Sequence, residues 1–271
     1  MKSIGTPTPF YVLAAYPLAL LVAAASLGGI LSPATYARET ANWTGQAIGQ
    51  DWADLLMAVP WLVIAAVSAH RGRRRGFVLL AGAYLYVAYE FVIYAFAVHF
   101  NAFFLVYCAT LGLSVFALLA MGSALLREDP TSWYIGEVPV RKGAALLLAV
   151  GGIFGALWLA DLMPAMIRGT TPPSIVEAGV LTNPVHVIDL SIVLPAHLLC
   201  GVWLLGRRPL ALAVAPILLG FGVLMALSIA GMMVVMRLRG LEASAVVVAA
   251  MTLVSLASAW MLVSFLRKLP R

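Results

Sequence analysis

Long apolar segments separated by short polar ones dominate this chain. Eight such segments occur, at 10–32, 52–70, 77–99, 102–126, 143–166, 185–205, 209–236 and 243–266. A helix of about 20 apolar residues crosses the ~30 Å hydrocarbon core of a bilayer. The pattern therefore predicts an all-α fold, a polytopic membrane helix bundle with about eight transmembrane helices.

The composition agrees with a membrane protein and excludes a soluble globular one. Of 271 residues, 63% are hydrophobic and 10% are charged, and the mean hydropathy is +1.01, whereas soluble domains are about half apolar. The net charge of +6 does not predict nucleic-acid binding, because basic residues beside apolar segments orient membrane helices. We expect membrane lipids as partners, and no nucleic acid.

The basic residues also predict an orientation. If both termini are cytoplasmic, 13 Lys and Arg residues lie inside and 4 lie outside, as the positive-inside rule favours. Arg outnumbers Lys by 14 to 3, which in an Ala- and Leu-rich chain indicates a bacterium with a GC-rich genome. We therefore predict a multi-pass protein of the bacterial plasma (inner) membrane. The inner set is Lys2, Arg71, Arg73, Arg74, Arg75, Arg127, Arg141, Lys142, Arg207, Arg208, Arg267, Lys268 and Arg271, and the outer set is Arg38, Arg168, Arg237 and Arg239.

Two segments, one in each half of the chain, share a pattern. One reads DLLMAVPWLVIAAVSAHRGRRR from Asp54, and the other reads DLSIVLPAHLLCGVWLLGRRP from Asp189. Each has a proline at the sixth position after the aspartate, at Pro60 and Pro195, and each runs to an arginine cluster. We predict a parallel tandem repeat of four plus four helices, residues 1–135 and 136–271, within one membrane domain.

The segment from 185 to 205 keeps polar side chains that need an explanation. Asp189, like Asp54, is expected to begin a helix, where a carboxylate caps free N–H groups and meets the positive end of the helix dipole. At 100° per residue, His186, Asp189, His197 and Cys200 form one polar stripe. His197 lies ~17 Å further in than His186, near mid-membrane, where a histidine is costly without a partner.

Glu90 is the strongest single candidate for function. In YLYVAYEFVIYAFAVHFN, residues 84–101, it lies well below the outer end of its helix, at a depth of ~13 Å. Tyr86 and Tyr94 stand at i−4 and i+4, so we expect their hydroxyls to bond the Glu90 carboxyl. A carboxyl at that depth should face the bundle interior, and an apolar surrounding that favours its protonated form suits proton coupling or acid–base chemistry.

The other candidates gather in the same half of the bilayer. Asp161 lies about two turns from the outer end of its predicted helix. With Asp54, Glu90, His186 and Asp189 it predicts a polar cavity open to the extracytoplasmic side. No lysine lies within a predicted span, which excludes a retinal Schiff base, and no GxSxG, HExxH or CxxC motif occurs.

A metal site is the weaker interpretation of these residues. His186 and Asp189, with a third ligand such as Asp54, have side chains that bind metal ions. The sequence specifies neither a cofactor nor a substrate.

Residues 94–119, YAFAVHFNAFFLVYCATLGLSVFALL, and residues 185–195, VHVIDLSIVLP, carry a family resemblance. Here the chain resembles an uncharacterised group of bacterial eight-span membrane proteins. The resemblance covers less than a quarter of the chain, contains no motif of known chemistry and implies no activity.

Three functions remain open at this point. The first is a proton-coupled small-molecule transporter with Glu90 as the coupling residue and a site at the interface between the repeats. The second is an intramembrane enzyme acting on a lipid or isoprenoid-like substrate through its Asp, Glu and His residues. The third is a non-catalytic module that binds lipid or assembles with a partner. Any of them is compatible with a homo-oligomer.

Overall fold

The structure, a computed structural model, describes residues 8–270. Within that range it is all-α, and eight helices are long and apolar enough to cross a membrane, which confirms the predicted class. The chain is an integral, multi-pass membrane protein. In chain order the helices are α1 (Phe10–Leu31), α2 (Ala41–His70), α3 (Arg74–Ala97), α4 (Phe104–Leu125), α5 (Val140–Arg168), α6 (Pro184–Leu205), α7 (Pro209–Leu238) and α8 (Ala245–Leu266).

Successive helices alternate in direction, so their connections lie on two faces. The face that we call terminal, because the described chain begins and ends on it, carries the connections 71–73, 126–139 and 206–208. The opposite face, called distal here, carries the connections 32–40, 98–103, 169–183 and 239–244. The connection 169–183 contains a short helix, Pro173–Ala178.

Helix α2 is longer than the sequence predicts. It begins at Ala41 rather than at residue 52, and the Thr40 side chain accepts a hydrogen bond from the backbone N–H of Trp43 at its start. The added turns are polar enough to resemble a loop, but they bury Trp43, Ala47 and Ala53 by packing against α1 and α7. Contacts with these neighbouring helices thus stabilise the first turns of α2, although the polar sequence there does not predict a membrane helix.

The predicted capping role of Asp54 and Asp189 is wrong, because both residues lie inside their helices. Each opens a π-helical turn, Asp54–Ala58 in α2 and Asp189–Val193 in α6. Pro60 and Pro195 follow these turns. A proline lacks the N–H that an α-helix requires and its ring clashes with the carbonyl one turn earlier, so a wider turn accommodates it.

Helices α3 and α7 form the centre of the bundle. In their apolar stretches 72% and 67% of the residues are buried, against 22–44% in the other helices. The two helices approach closely at Gly82, where a Cβ atom would lie 3.0 Å from the carbonyl oxygen of Ile217. Helices α1, α2, α3 and α4 contact one another in a ring, and α5, α6, α7 and α8 form a second ring. Each ring contributes one helix to the centre, α3 from the first and α7 from the second.

Several features recur in the second ring at the same sequence spacing that separates Asp54 from Asp189. The π turns begin at 54 and 189, α2 and α6 end at 70 and 205, and α3 and α7 begin at 74 and 209. The turns between them also match, because Gly72 has φ +71° and Arg207 has φ +52°. These coincidences agree with the predicted duplication, which itself stays a prediction.

Candidate functional site

Asp51 is the most completely bonded carboxyl group of the bundle interior. Its Oδ2 accepts a hydrogen bond from the Tyr36 hydroxyl at 2.8 Å, and its Oδ1 accepts one from the Tyr94 hydroxyl at 2.8 Å. Burial, together with the charge of Asp51, raises the pKa of Tyr36 well above its usual value. Tyr36, which precedes α2, therefore keeps its proton and acts as a donor.

Asp54 lies one turn further into α2, and only one of its two carboxyl oxygens has hydrogen-bond partners. Its Oδ1 accepts hydrogen bonds from the Tyr86 hydroxyl at 2.8 Å and from Nε2 of Gln50 at 3.1 Å. Its Oδ2 is buried and has no partner among the described residues. Because an unpaired buried polar atom costs free energy, this oxygen is suited to hold a proton or a ligand.

Glu90 faces the same region from α3. It is 4% exposed, and within residues 8–270 its carboxyl forms no hydrogen bond. The carboxyl groups of Asp54 and Asp51 lie within electrostatic range of it. The expected bonds from Tyr86 and Tyr94 to Glu90 are wrong, since those hydroxyls donate to the two aspartates instead. We call this group the acid cluster: Tyr36, Gln50, Asp51, Asp54, Tyr86, Glu90 and Tyr94.

Connection 32–40, which contains Tyr36 of the acid cluster, is bonded to connection 98–103. Glu39 accepts a hydrogen bond from the backbone N–H of His99 at 2.7 Å and lies 2.9 Å from its Nδ1. Arg38 donates to the carbonyl of Phe100, and the Asn101 amide donates to the carbonyl of Thr35 at 3.2 Å. Connection 32–40 is therefore held against connection 98–103 on the distal face.

A second polar group lies between α5 and α6 and includes Asp189. Its Oδ2 accepts a hydrogen bond from the Trp158 indole at 2.7 Å. Tyr89 of α3 lies beside the same carboxyl, so α3 contacts the aspartates of both π turns, Asp54 through Tyr86 and Asp189 through Tyr89.

His186 and Asp161 complete this second group. The His186 ring packs at a tilt against the Trp158 ring, with centroids 4.5 Å apart, and both of its ring nitrogens are buried without a partner among the described residues. Nε2 lies 3.9 Å from Oδ2 of Asp161, which instead accepts a hydrogen bond from the Ser174 hydroxyl at 2.7 Å. Asp161 is 31% exposed, so this group is more open than the acid cluster.

The polar stripe predicted along α6 is divided by the π turn. His186 and Asp189 face Trp158 of α5, whereas His197 packs on Phe221 of α7 and Cys200 lies near the carbonyl of Ala211. The expected 100° spacing fails because a π turn changes the number of residues per turn. Nδ1 of His197 bonds the carbonyl of Val193 at 2.8 Å, which satisfies it within its own helix.

The structure does not assemble the predicted metal ligands. Among the described residues, no three His, Cys, Asp or Glu side chains lie close enough together to hold a metal ion. His186, Asp189 and Asp54 are thus divided between the two polar groups.

Three members of the acid cluster are missing from the sequence prediction: Tyr36, Gln50 and Asp51. All of them fall where the hydropathy pattern indicates a loop. The available signal was spacing, because Gln50 and Asp51 stand at i−4 and i−3 from Asp54 and so share its helix face.

Comparison with known proteins does not identify the chain. No protein family, curated protein or solved structure matches it. The two polar groups are therefore the features of the chain that bear on its function.

Proposed function

We propose that this protein is a proton-coupled transporter of small cationic molecules, with Glu90 as the proton-coupling residue. The observation that carries the proposal is the acid cluster, in which three buried carboxyls lie within electrostatic range of one another without a basic partner. None of the ion pairs within residues 8–270 involves Asp51, Asp54 or Glu90.

Electrostatics explains why such a cluster binds cations. Like charges within electrostatic range of one another in a medium of low dielectric repel, so the three carboxyls are not stable as three bare carboxylates. Both oxygens of Asp51 already accept hydrogen bonds, from Tyr36 and Tyr94. Asp54 and Glu90, which have free acceptor capacity, then hold either a proton or a cation.

Competition for these two carboxyls provides the coupling. When a monovalent cation binds between Asp54 and Glu90, one proton leaves, and the charge of the site stays constant. The same proton returns when the cation departs. A site that exchanges one for the other and opens alternately to each side performs cation–proton exchange.

The architecture supports a transport cycle of this kind. The acid cluster borders the α3–α7 centre where the two rings meet, and transporters built from repeats place their sites at such an interface. We propose that both termini are cytoplasmic in a bacterial plasma membrane, since most basic residues flank the terminal face. The distal connections then form the extracytoplasmic entrance.

Reconstituted vesicles test the proposal. The purified protein is placed in liposomes that contain a pH-sensitive dye, and outward gradients of Na⁺, guanidinium and tetraphenylphosphonium are applied in turn. We expect at least one cation to drive proton movement in the wild type and none to do so in Glu90→Gln. Glu242→Gln, which removes an exposed carboxylate of the distal face, is the matched control and should retain full coupling.

The two variants also give the contradicting result. If wild type, Glu90→Gln and Glu242→Gln all show the same proton movement with every cation, the acid cluster is not a coupling site. If Glu90→Gln still binds the cation but does not exchange it for a proton, Glu90 is assigned to coupling rather than to cargo binding.

The second group favours one alternative, an intramembrane enzyme for a lipid or isoprenoid-like substrate. A buried histidine with two unbonded nitrogens next to a partly exposed carboxylate is a candidate general base. Turnover of an isoprenoid phosphate added to the vesicles, lost in His186→Ala but kept in Glu90→Gln, would establish it. If both variants match the wild type in transport and turnover, the remaining hypothesis is a non-catalytic module that binds lipid or assembles as a homo-oligomer.

A further inference from the structure

A basic pocket lies on the terminal face, far from both polar groups. It is a cavity of about 550 Å³ between the start of α5, the end of α6 and the end of α8. One acid, Glu137, lines it. Four cationic side chains also line it: Arg141, Lys142, Arg207 and Lys268. Val138, Val140 and Leu205 contribute an apolar wall.

The four cations have no anionic partner within residues 8–270. The only Lys or Arg ion pair there joins Arg74 to Glu128 at 3.4 Å. The neighbouring Arg75 is also engaged, because its guanidinium donates to the carbonyl of Leu269. Arg74 and Arg75, next to the first ring, are thus occupied by protein groups, whereas the four cations of the basic pocket line an open cavity.

Arg207 has an unusual backbone conformation, which a residue that only orients the chain in the membrane does not need. Its φ of +52° is the only positive value for a residue other than glycine in the described chain, and that conformation is unfavourable for a residue with a Cβ atom. The matching turn of the first ring has Gly72, with φ +71°. The second ring therefore has a strained arginine where the first has glycine, and such strain is typical of functional positions.

The pocket is also held in shape by the backbone. The N–H of Ile135 donates to the carbonyl of Lys268 at 2.8 Å, which fixes the chain after α8 to the connection before α5. Lys142 lies over the Trp260 ring at 5.7 Å, and tryptophan at a helix end is typical of the bilayer interface.

We infer that the basic pocket binds a phosphate group, with the apolar wall beside it accommodating the chains when that phosphate belongs to a lipid. Four cations against one carboxylate leave three positive charges for an anion, and arginine binds phosphate through paired N–H groups. Basic pockets between helices at this level of the membrane bind anionic headgroups. Phosphate binding here does not depend on the proposed transport.

Thermal stability of the purified full chain in mild detergent tests it. The probes are dioleoyl phosphatidic acid, dioleoyl phosphatidylcholine and inorganic pyrophosphate, each titrated separately. We expect phosphatidic acid to raise the melting temperature of the wild type in a saturable way and phosphatidylcholine to have no such effect. Pyrophosphate distinguishes the source: if it alone stabilises, the ligand is a soluble phosphate compound rather than a lipid.

Variants at Arg207 separate binding from folding. Arg207→Gly relieves the strained backbone, so it should be at least as stable as the wild type without ligand. It should nevertheless bind the stabilising probe about fivefold more weakly, the effect of losing one cation near an anionic headgroup. Arg141→Gln should weaken binding similarly, whereas Arg73→Gln, an exposed arginine on the same face, should not. Equal titration curves for all three variants and the wild type, or stabilisation by none of the probes, would overturn the inference.

Discussion

At the scale of single residues, the position of Asp51 depends on the absence of a side chain at Gly29. A Cβ atom at Gly29 would lie 1.8 Å from Oδ2 of Asp51 and 2.6 Å from the Tyr36 hydroxyl. The carboxylate and its tyrosine donor therefore occupy the space in which an alanine methyl group would stand. Tyr94 also holds the second oxygen of Asp51, so a shift of this carboxyl group would disturb that hydrogen bond as well.

We expect Gly29→Ala to destabilise the fold by about 1–3 kcal/mol, the usual effect of adding a methyl group to a filled interior, and to displace the Asp51 carboxylate. Gly122→Ala is the matched control, because a Cβ atom there has no neighbour within 4 Å. Thermal unfolding of both variants in the same detergent measures the difference. Equal melting temperatures would show that the Gly29 site relaxes freely and that Asp51 is not tightly held.

At the scale of helices, proline controls the geometry of both candidate groups. Pro60 and Pro195 each follow a π turn that begins at an aspartate. In each case the π turn sets the direction in which the aspartate points relative to the rest of the helix. This is why Asp54 and Asp189 face tyrosine and tryptophan donors rather than lipid.

The contact between α3 and α7 depends on a small residue. At Gly82 an added Cβ atom would lie 3.0 Å from the carbonyl oxygen of Ile217 and 3.2 Å from the backbone nitrogen of Phe221. Backbone atoms cannot turn aside as a side chain does, so Gly82→Val should separate the helices and cost about 1–3 kcal/mol.

Gly112→Val is the control for that variant, since a Cβ atom at Gly112 of α4 has no neighbour within 4 Å. Unfolding measured by loss of helical circular dichroism should show a lower midpoint for Gly82→Val only. If the control unfolds equally early, the loss comes from valine in a helix and not from the α3–α7 contact.

The helices show which features hydropathy can predict. It located all eight spans, because a bilayer requires a long apolar surface whatever the tertiary contacts. It missed residues 41–51 of α2, where buried contacts with α1 and α7 stabilise a polar helix. It found Glu90, because a charge within an apolar run is conspicuous, but it assigned Tyr86 and Tyr94 to the wrong acid. Which carboxyl accepts a tyrosine hydroxyl depends on how α2 and α3 pack, and a pattern along one helix does not contain that information.

At the scale of the whole molecule, the two rings share a framework but differ in chemistry. Aligning Asp54 with Asp189 places Phe221, Met225 and Ile229 of α7 at the positions of Tyr86, Glu90 and Tyr94 of α3. Helix α3 therefore supplies polar side chains to the aspartates of both rings, and α7 supplies an apolar surface. If the rings arose by duplication, as the sequence pattern predicts, the acid cluster is an asymmetric feature placed on a symmetric framework.

This asymmetry predicts how separated halves behave. Residues 1–135 and 136–271, produced together as two chains, should associate one to one in mild detergent. Their contacts include Gly82 against Ile217, and the Tyr134 hydroxyl bonded to the carbonyl of Leu212 at 2.7 Å. Two copies of the first half are disfavoured, because pairing α3 with α3 would bring two acid clusters together and bury more unpaired carboxyls.

An affinity tag on the first half measures the outcome. It should recover the second half in equal amount, and Gly82→Val in the tagged half should reduce the recovery while Gly112→Val leaves it unchanged. Recovery of the first half paired mainly with itself would show that α3 does not distinguish α7 from a second α3. The acid clusters would then tolerate one another, and electrostatic repulsion would not require a proton or a cation in each of them.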